Sequence, residues 1–147
     1  MRRLVLLALS ALVTLMLGCG SAATTPSAVT PPATTSSSAV SVSNDLLQAI
    51  ASGEEAGVGM KPVRGFAVKS RDFSNVYMVA MEFSATGVNN QVGVWATNSL
   101  TSGGGLIMAV DGYAKQFTVW PDSDTTDAAI TISADGVEAA KSALRSQ

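Results

Sequence analysis

The segment Val76–Ala85, which reads VYMVAMEFSA, decides the fold of this chain. In a β-strand alternate side chains point to opposite faces, so four large residues share one face: Tyr77, Val79, Met81 and Phe83. Three more apolar residues occupy the other face: Val76, Met78 and Ala80. Apolar residues on both faces indicate a central strand that helices cover on at least one side.

Two further strands adjoin this segment in the sequence. Residues 63–70 alternate before it, and residues 91–98 alternate after it. Thr86 to Asn90 contains a Gly and two Asn between two apolar runs, which is typical of a hairpin loop. The sequence therefore predicts a three-stranded antiparallel meander.

Segments with helical periodicity precede and follow this meander in the sequence. A short helix is expected over residues 44–52, capped by Ser43 or Asn44, and a last helix over residues 134–145, capped by Ser133. Residues 107–118 allow either a helix, which we favour, or a hairpin that turns at Asp111-Gly112.

In the favoured helix over residues 107–118, Asp111 and Lys115 form an i, i+4 pair. The order of elements is then helix, three strands and two helices. This order predicts an α+β domain, with helices packed on one face of the sheet.

Composition and charge exclude several functions. Beyond residue 19 the chain has seven Lys and Arg against eleven Asp and Glu, a net charge of −4. Nucleic-acid binding requires a basic surface, so we expect no nucleic-acid partner. The chain has no histidine, which excludes Ser-His-Asp catalysis and His-ligated zinc. No P-loop or Ser-x-x-Lys motif occurs, so we expect neither an enzyme nor a resident cofactor.

The N-terminal residues have the pattern of an export signal. Arg2 and Arg3 precede an apolar run of about 14 residues, Leu4–Leu17, which is shorter than the roughly 20 residues of a membrane-spanning helix. Gly18 and Cys19 end the run, and Cys19 is the only cysteine in the chain. We interpret residues 1–18 as a signal peptide.

Leu15-Met16-Leu17-Gly18-Cys19 resembles the lipobox of bacterial lipoproteins, although Met16 and Leu17 depart from the usual Leu and small residue. The resemblance implies that the Cys19 thiol receives a diacylglycerol and that cleavage makes Cys19 the first residue of the mature chain. The chain would then be anchored to the outer face of the cell membrane by its lipid. Each lipid CH2 group buried in the membrane contributes about 0.8 kcal/mol to this anchoring.

Residues 20–43 have the composition of a tether, since they are dominated by Ser, Thr, Ala and Pro and carry no charge. Such a segment cannot bury enough apolar surface to offset the entropy of ordering. Fully extended it would reach about 80 Å, at about 3.4 Å per residue. The folded domain is therefore expected at residues 44–147. The tether and the composition resemble small secreted lipoproteins of high-GC Gram-positive bacteria and their phages.

Three sets of side chains are candidates for function. Asp122, Asp124 and Asp127 lie at the short spacing at which carboxylates gather around calcium, or they are turn and cap residues. Trp95 and Trp120 could contact a glycan or a protein, or they pack in the core. Glu82 is a lone acid on the central strand, and such an acid is more often paired with a Lys or Arg than catalytic.

Together these features predict a lipid-anchored, extracytoplasmic module that binds an envelope protein or glycan without catalysis. A narrower form of this hypothesis is a phage-encoded lipoprotein that blocks superinfection. The first alternative is a carrier or enzyme that uses the acidic loop 122–127 to hold a cation or small ligand. The second alternative is a structural envelope protein.

Overall fold

The sheet in the computed structural model has five strands, all antiparallel, which neighbour one another in chain order. The structure describes residues 38–103 and 105–147, which belong to one compact unit. The strands are β1 (Val40–Ser41), β2 (Lys61–Lys69), β3 (Tyr77–Ala85), β4 (Val88–Thr97) and β5 (Ile107–Ala109). The helices are α1 (Asn44–Ala51), α2 (Gly112–Phe117) and α3 (Val137–Arg145), with one 3-10 turn at Ser123–Thr125.

Strand β3 is the centre of the sheet, as VYMVAMEFSA predicts. Its residues pair with β2 on one side and with β4 on the other, so that Val79 lies between Ala67 and Trp95. Val79, Met81 and Phe83 enter one apolar core, while Met78 and Ala80 enter a second core on the opposite face. The α+β class is therefore confirmed.

The expectation that the helices pack on one face is wrong. Helices α1 and α2 supply Leu46, Leu47, Ile50 and Ala114 to the core that contains Val79. Helix α3 supplies Val137, Ala140 and Leu144 to the core that contains Met78. Both faces of β3 are apolar, so each requires a helix to exclude water. The periodicity of α3 showed an apolar stripe, but it carried no information about which face of the sheet the stripe would cover.

The three predicted strands form the middle of a larger sheet. The additional strand β1 comes from the last residues of the segment interpreted as a tether, and Val40 pairs with Ala67. Its two residues are both exposed, so backbone hydrogen bonds hold it without an apolar pattern in the sequence. The described unit thus begins before Asn44, the residue at which the sequence predicted that the domain would start.

Residues 107–118 form neither the single helix that we favoured nor a hairpin. Residues 107–109 form strand β5, and helix α2 begins only after Asp111. Asp111 is the N-cap of α2, because its side chain accepts a hydrogen bond from the N–H of Ala114 at 3.0 Å. An Asp at this position begins a helix instead of continuing one, which leaves the preceding residues free to extend.

Helix α1 has the expected cap, whereas α3 begins later than expected. The Ser43 hydroxyl accepts the N–H of Leu46. Helix α3 was expected from residue 134 with Ser133 as its cap, but its N-cap is Gly136, with a φ of 95°. The carboxylate of Asp135, just before it, accepts hydrogen bonds from the backbone N–H and the guanidinium of Arg71. This tertiary contact, together with the left-handed glycine, delays the first turn of the helix.

Candidate functional site

A buried carboxylate, that of Asp111, connects three elements of the fold. Asp111 is 6% exposed. Its Oδ1 accepts the N–H of Val94 on β4 at 3.1 Å and the N–H of Ala114 on α2 at 3.0 Å. Its Oδ2 lies 3.1 Å from Nζ of Lys141 on α3. Two amide donors and an ammonium group compensate for the loss of water around this charge.

The apolar stripe of α3 explains how Lys141 reaches this carboxylate. Val137, Ala140 and Leu144 are buried against the sheet, and Lys141 flanks them one turn after Val137. Its methylene stem therefore lies beside the core while its ammonium group extends toward the start of α2. The side chain of Lys141 remains 22% exposed, so the ion pair lies at the boundary between the core and the solvent.

An open groove of about 510 Å³ lies over this ion pair, between α2 and α3. The side chains that line it are those of Asp111, Tyr113, Gln116, Ile132, Glu138 and Lys141. Tyr113 is 47% exposed and Ile132 is 62% exposed. The ring of Tyr113 stacks on Phe117, with the centroids 6.3 Å apart and the planes at 22°, which restricts its orientation. The groove thus combines fixed charges with exposed apolar surface.

The chemistry of this groove is suited to binding. The Asp111 carboxylate is already bound by three donors, so it is not free to act as a base or a nucleophile. Glu138 is the other acid that lines the groove, and its side chain is 74% exposed. An exposed aromatic ring beside charged groups on helices is an arrangement found at recognition surfaces.

The three aspartates proposed for cation binding are not brought together. Lys115 Nζ lies 2.7 Å from Asp124 Oδ1 and 3.7 Å from Asp122 Oδ2. The hydrogen bond with Asp124 raises the pKa of Lys115, and the same bond lowers the pKa of Asp124. Asp127 is exposed and makes no ion pair with Lys115. Within residues 38–103 and 105–147, no group of three His, Cys, Asp or Glu could hold a metal ion.

The predicted pair between Asp111 and Lys115 is also wrong. Asp111 instead pairs with Lys141, while Lys115 pairs with Asp122 and Asp124. Because Asp111 is a cap, its side chain turns back over the first turn of α2 and away from the position that an interior helical residue would take. An Asp directly before a run of helical periodicity, where it can serve as the N-cap, was the sequence signal that could have indicated this arrangement.

The two tryptophans have different surroundings. Trp95 is 0% exposed and packs edge-on against Phe83, with ring centroids 6.0 Å apart. Its Nε1 donates to the hydroxyl of Thr118 at 3.3 Å. Trp95 is therefore a core residue with no surface for a ligand.

Trp120 is half-buried at the rim of a smaller recess of about 240 Å³ beside α1. Its Nε1 donates to the carbonyl of Ile50 at 2.8 Å. The ring lies against Gly53, where an added Cβ would stand 2.3 Å from ring atom Cε2, so only glycine fits there. Both contacts serve the packing of α1, while the exposed part of the ring borders the recess.

Glu82 pairs with Arg64, as expected for a lone acid on a strand. Arg64 Nε donates to Glu82 Oε2 at 2.7 Å, and the two residues lie opposite each other on β2 and β3. The acid thus supports the sheet.

Cys19 and residues 1–18, which we interpreted as a signal peptide, lie outside the described residues. In the part of the chain that the structure describes, no helix is long and apolar enough to cross a membrane. Comparisons of the chain with protein-family models, with curated proteins and with solved structures find no match.

Proposed function

We propose that this chain is a lipid-anchored, extracytoplasmic protein whose domain binds a component of the cell envelope through the groove between α2 and α3. The observation that carries the binding role is the groove itself, where exposed Tyr113 and Ile132 flank the buried pair of Asp111 and Lys141. The groove is built mainly on α2, α3 and the ion pair at the N-cap of α2, and the segment before α3 adds Ile132. Its charged groups are therefore held by regular secondary structure.

The anchor rests on the sequence. The basic residues, the apolar run and the terminal Cys19 match the order of a lipoprotein signal, and acylation accounts for an unpaired cysteine in an exported chain. With the lipid on Cys19, the segment that follows would hold the domain away from the membrane. A phage-encoded protein that blocks superinfection is the narrower form of this proposal.

Two observations favour binding over catalysis. The chain has no histidine, and the acid at the base of the groove is fully engaged by hydrogen bonds. The acidic loop 122–127 is occupied by the ammonium group of Lys115, which opposes a bound cation.

The anchor is tested by mass spectrometry of the protein made in a bacterium that processes lipoproteins. We expect an N-terminal Cys19 that carries a diacylglycerol, and we expect the C19S variant to lose both the lipid and its membrane association. A wild-type protein with an intact leader or a bare thiol would contradict the proposed anchor.

The groove is tested by site-specific photo-crosslinking on intact cells. A crosslinker replaces Gln116, which lines the groove, and a matched crosslinker replaces Gln48, which is exposed on α1. We expect a discrete adduct from position 116, absent from position 48, that disappears when Tyr113 is also changed to Ala. Equal adducts from both positions, or none from either, would refute binding through the groove.

A further inference from the structure

Three charged side chains line the groove, and two of them neutralise each other. Lys141 and Asp111 are 3.1 Å apart, so their charges cancel at short range. The carboxylate of Glu138 is left as the net charge of the groove. The net charge of −4 over the seven Lys and Arg and eleven Asp and Glu beyond residue 19 adds to this negative potential.

The partner that Glu138 has within the described chain is weakly held. Arg145 Nη2 lies 3.7 Å from Glu138 Oε2, beyond hydrogen-bond distance, and the two side chains are 64% and 74% exposed. An ion pair as exposed as this contributes little to stability. Glu138 can therefore exchange Arg145 for a cation from another molecule.

We propose that the groove accepts an arginine side chain from a basic segment of a partner protein. The guanidinium group would bind Glu138 with two parallel N–H donors and lie against the exposed ring of Tyr113, while its methylene stem contacts Ile132. Guanidinium is planar and weakly hydrated, so it suits a site that joins a carboxylate to an aromatic ring better than the compact ammonium of lysine does. This inference rests on the proposed binding role of the groove.

The test measures the affinity of a fluorescein-labelled, end-capped Ala-Arg-Ala peptide for the full chain in a non-ionic detergent, by fluorescence anisotropy. Two matched peptides replace Arg with Lys or with neutral citrulline. We expect the arginine peptide to bind most tightly and the citrulline peptide to lose about two- to fivefold in affinity, as for loss of an exposed ion pair. Equal binding of all three peptides would overturn the proposal.

Variants of the chain locate the binding site. E138Q should lower the affinity for the arginine peptide by about fivefold. E55Q, which removes an exposed charge outside the groove, should leave that affinity unchanged. R145Q should tighten binding by about twofold because it removes the competing cation, whereas K69Q, an equal change of net charge elsewhere, should not. An E138Q protein that binds as tightly as the E55Q protein would contradict the assignment.

The outcome is distinguishable from failure of the proposed function. If position 116 still forms its Tyr113-dependent adduct on cells and the arginine peptide does not bind, the arginine specificity is wrong and the groove remains a binding site. If the adduct is missing but the peptide binds and loses affinity in E138Q, arginine recognition by Glu138 is supported and the envelope role of the groove is wrong.

Discussion

Two clusters of lysine and aspartate lie near helix α2, and they differ in burial and in the elements that they connect. Asp111 is buried, and it joins Lys141 to the N–H groups of Val94 and Ala114. Asp122 and Asp124 are about half exposed, and they converge on Lys115 from the acidic loop. The first cluster connects β4, α2 and α3, whereas the second connects α2 to a surface loop.

The difference shows that the number of acids at a site is a poor guide to how much the site contributes to stability. A carboxylate in water loses little when its partner is removed, because solvent replaces the partner. A buried carboxylate bonds to groups that water reaches poorly, so its removal leaves them without a full set of hydrogen-bond partners. We therefore expect the single acid Asp111 to contribute more to the free energy of unfolding than the three acids at residues 122–127.

The largest effect is expected for D111A. This change leaves Lys141 partly buried without its counter-charge, and it leaves the N–H groups of Val94 and Ala114 without an acceptor. We expect the free energy of unfolding to fall by about 3 kcal/mol, from the cost of breaking one side of a buried pair. Urea unfolding followed by tryptophan fluorescence measures the change. A loss no greater than that of D124A would remove the distinction between the clusters.

The next largest effect is expected for K141M. Methionine retains the methylene stem but removes the ammonium group, and Asp111 still accepts from two amides. The free energy of unfolding should fall by about 1.5 kcal/mol, in the range for a buried group that loses one of several donors. In the double variant D111A/K141M the losses should be less than additive, because the two side chains interact directly. Additive losses would show that the pair is not coupled.

Asp135, which belongs to neither cluster, provides an intermediate case with a pH dependence. The hydrogen bond from the Arg71 guanidinium lowers the pKa of Asp135. A carboxyl group with a lowered folded pKa contributes stability above its unfolded pKa of about 3.9, and that contribution disappears as the pH falls through the folded pKa. At pH 7 the wild type should therefore have a larger free energy of unfolding than D135N, although the difference should be smaller than that between wild type and D111A. The difference between wild type and D135N should disappear in acid. A difference that does not narrow as the pH falls below the unfolded pKa of about 3.9 would assign the effect to something other than this ionisation.

The smallest effect is expected at the acidic loop. D124N removes the carboxylate charge with which Lys115 pairs, but both groups are at the surface. We expect no change in the free energy of unfolding beyond experimental error, and no rise in melting temperature when calcium is added to wild type. A rise with calcium that D122N and D124N abolish would restore the cation hypothesis for this loop.

Much of the fold could be predicted from local patterns. The alternating residues of VYMVAMEFSA identified the central strand, and Gly87 identified the hairpin with β4. The loop was predicted too long, because Asn89 and Asn90 belong to β4 and the turn is only Thr86-Gly87. Ser43 was correctly named as a possible cap of α1. Each of these features depends on residues that are close together in the chain, so the sequence contains the relevant contacts.

The errors arose where distant residues decided the outcome. Strand β1 has no apolar pattern. It forms because the edge of β2 offers hydrogen-bond partners far along the chain, such as Ala67, which lies opposite Val40 and 27 positions after it. Helix α3 begins at Val137 and not at residue 134 because Arg71 holds Asp135 outside the helix. Neither the side of the sheet that α3 covers nor the partner of Asp111 follows from periodicity.

The sequence by itself determined the α+β class and the central position of the strand VYMVAMEFSA, since both follow from continuous runs of residues with a clear apolar pattern. Only the tertiary structure decided that Asp111 meets Lys141, that Trp95 is a core residue, and that Tyr113 borders an open groove. The physical reason is that burial is a property of the packed chain: a side chain becomes a core residue, an ion-pair partner or a recognition surface according to which distant elements exclude water from it.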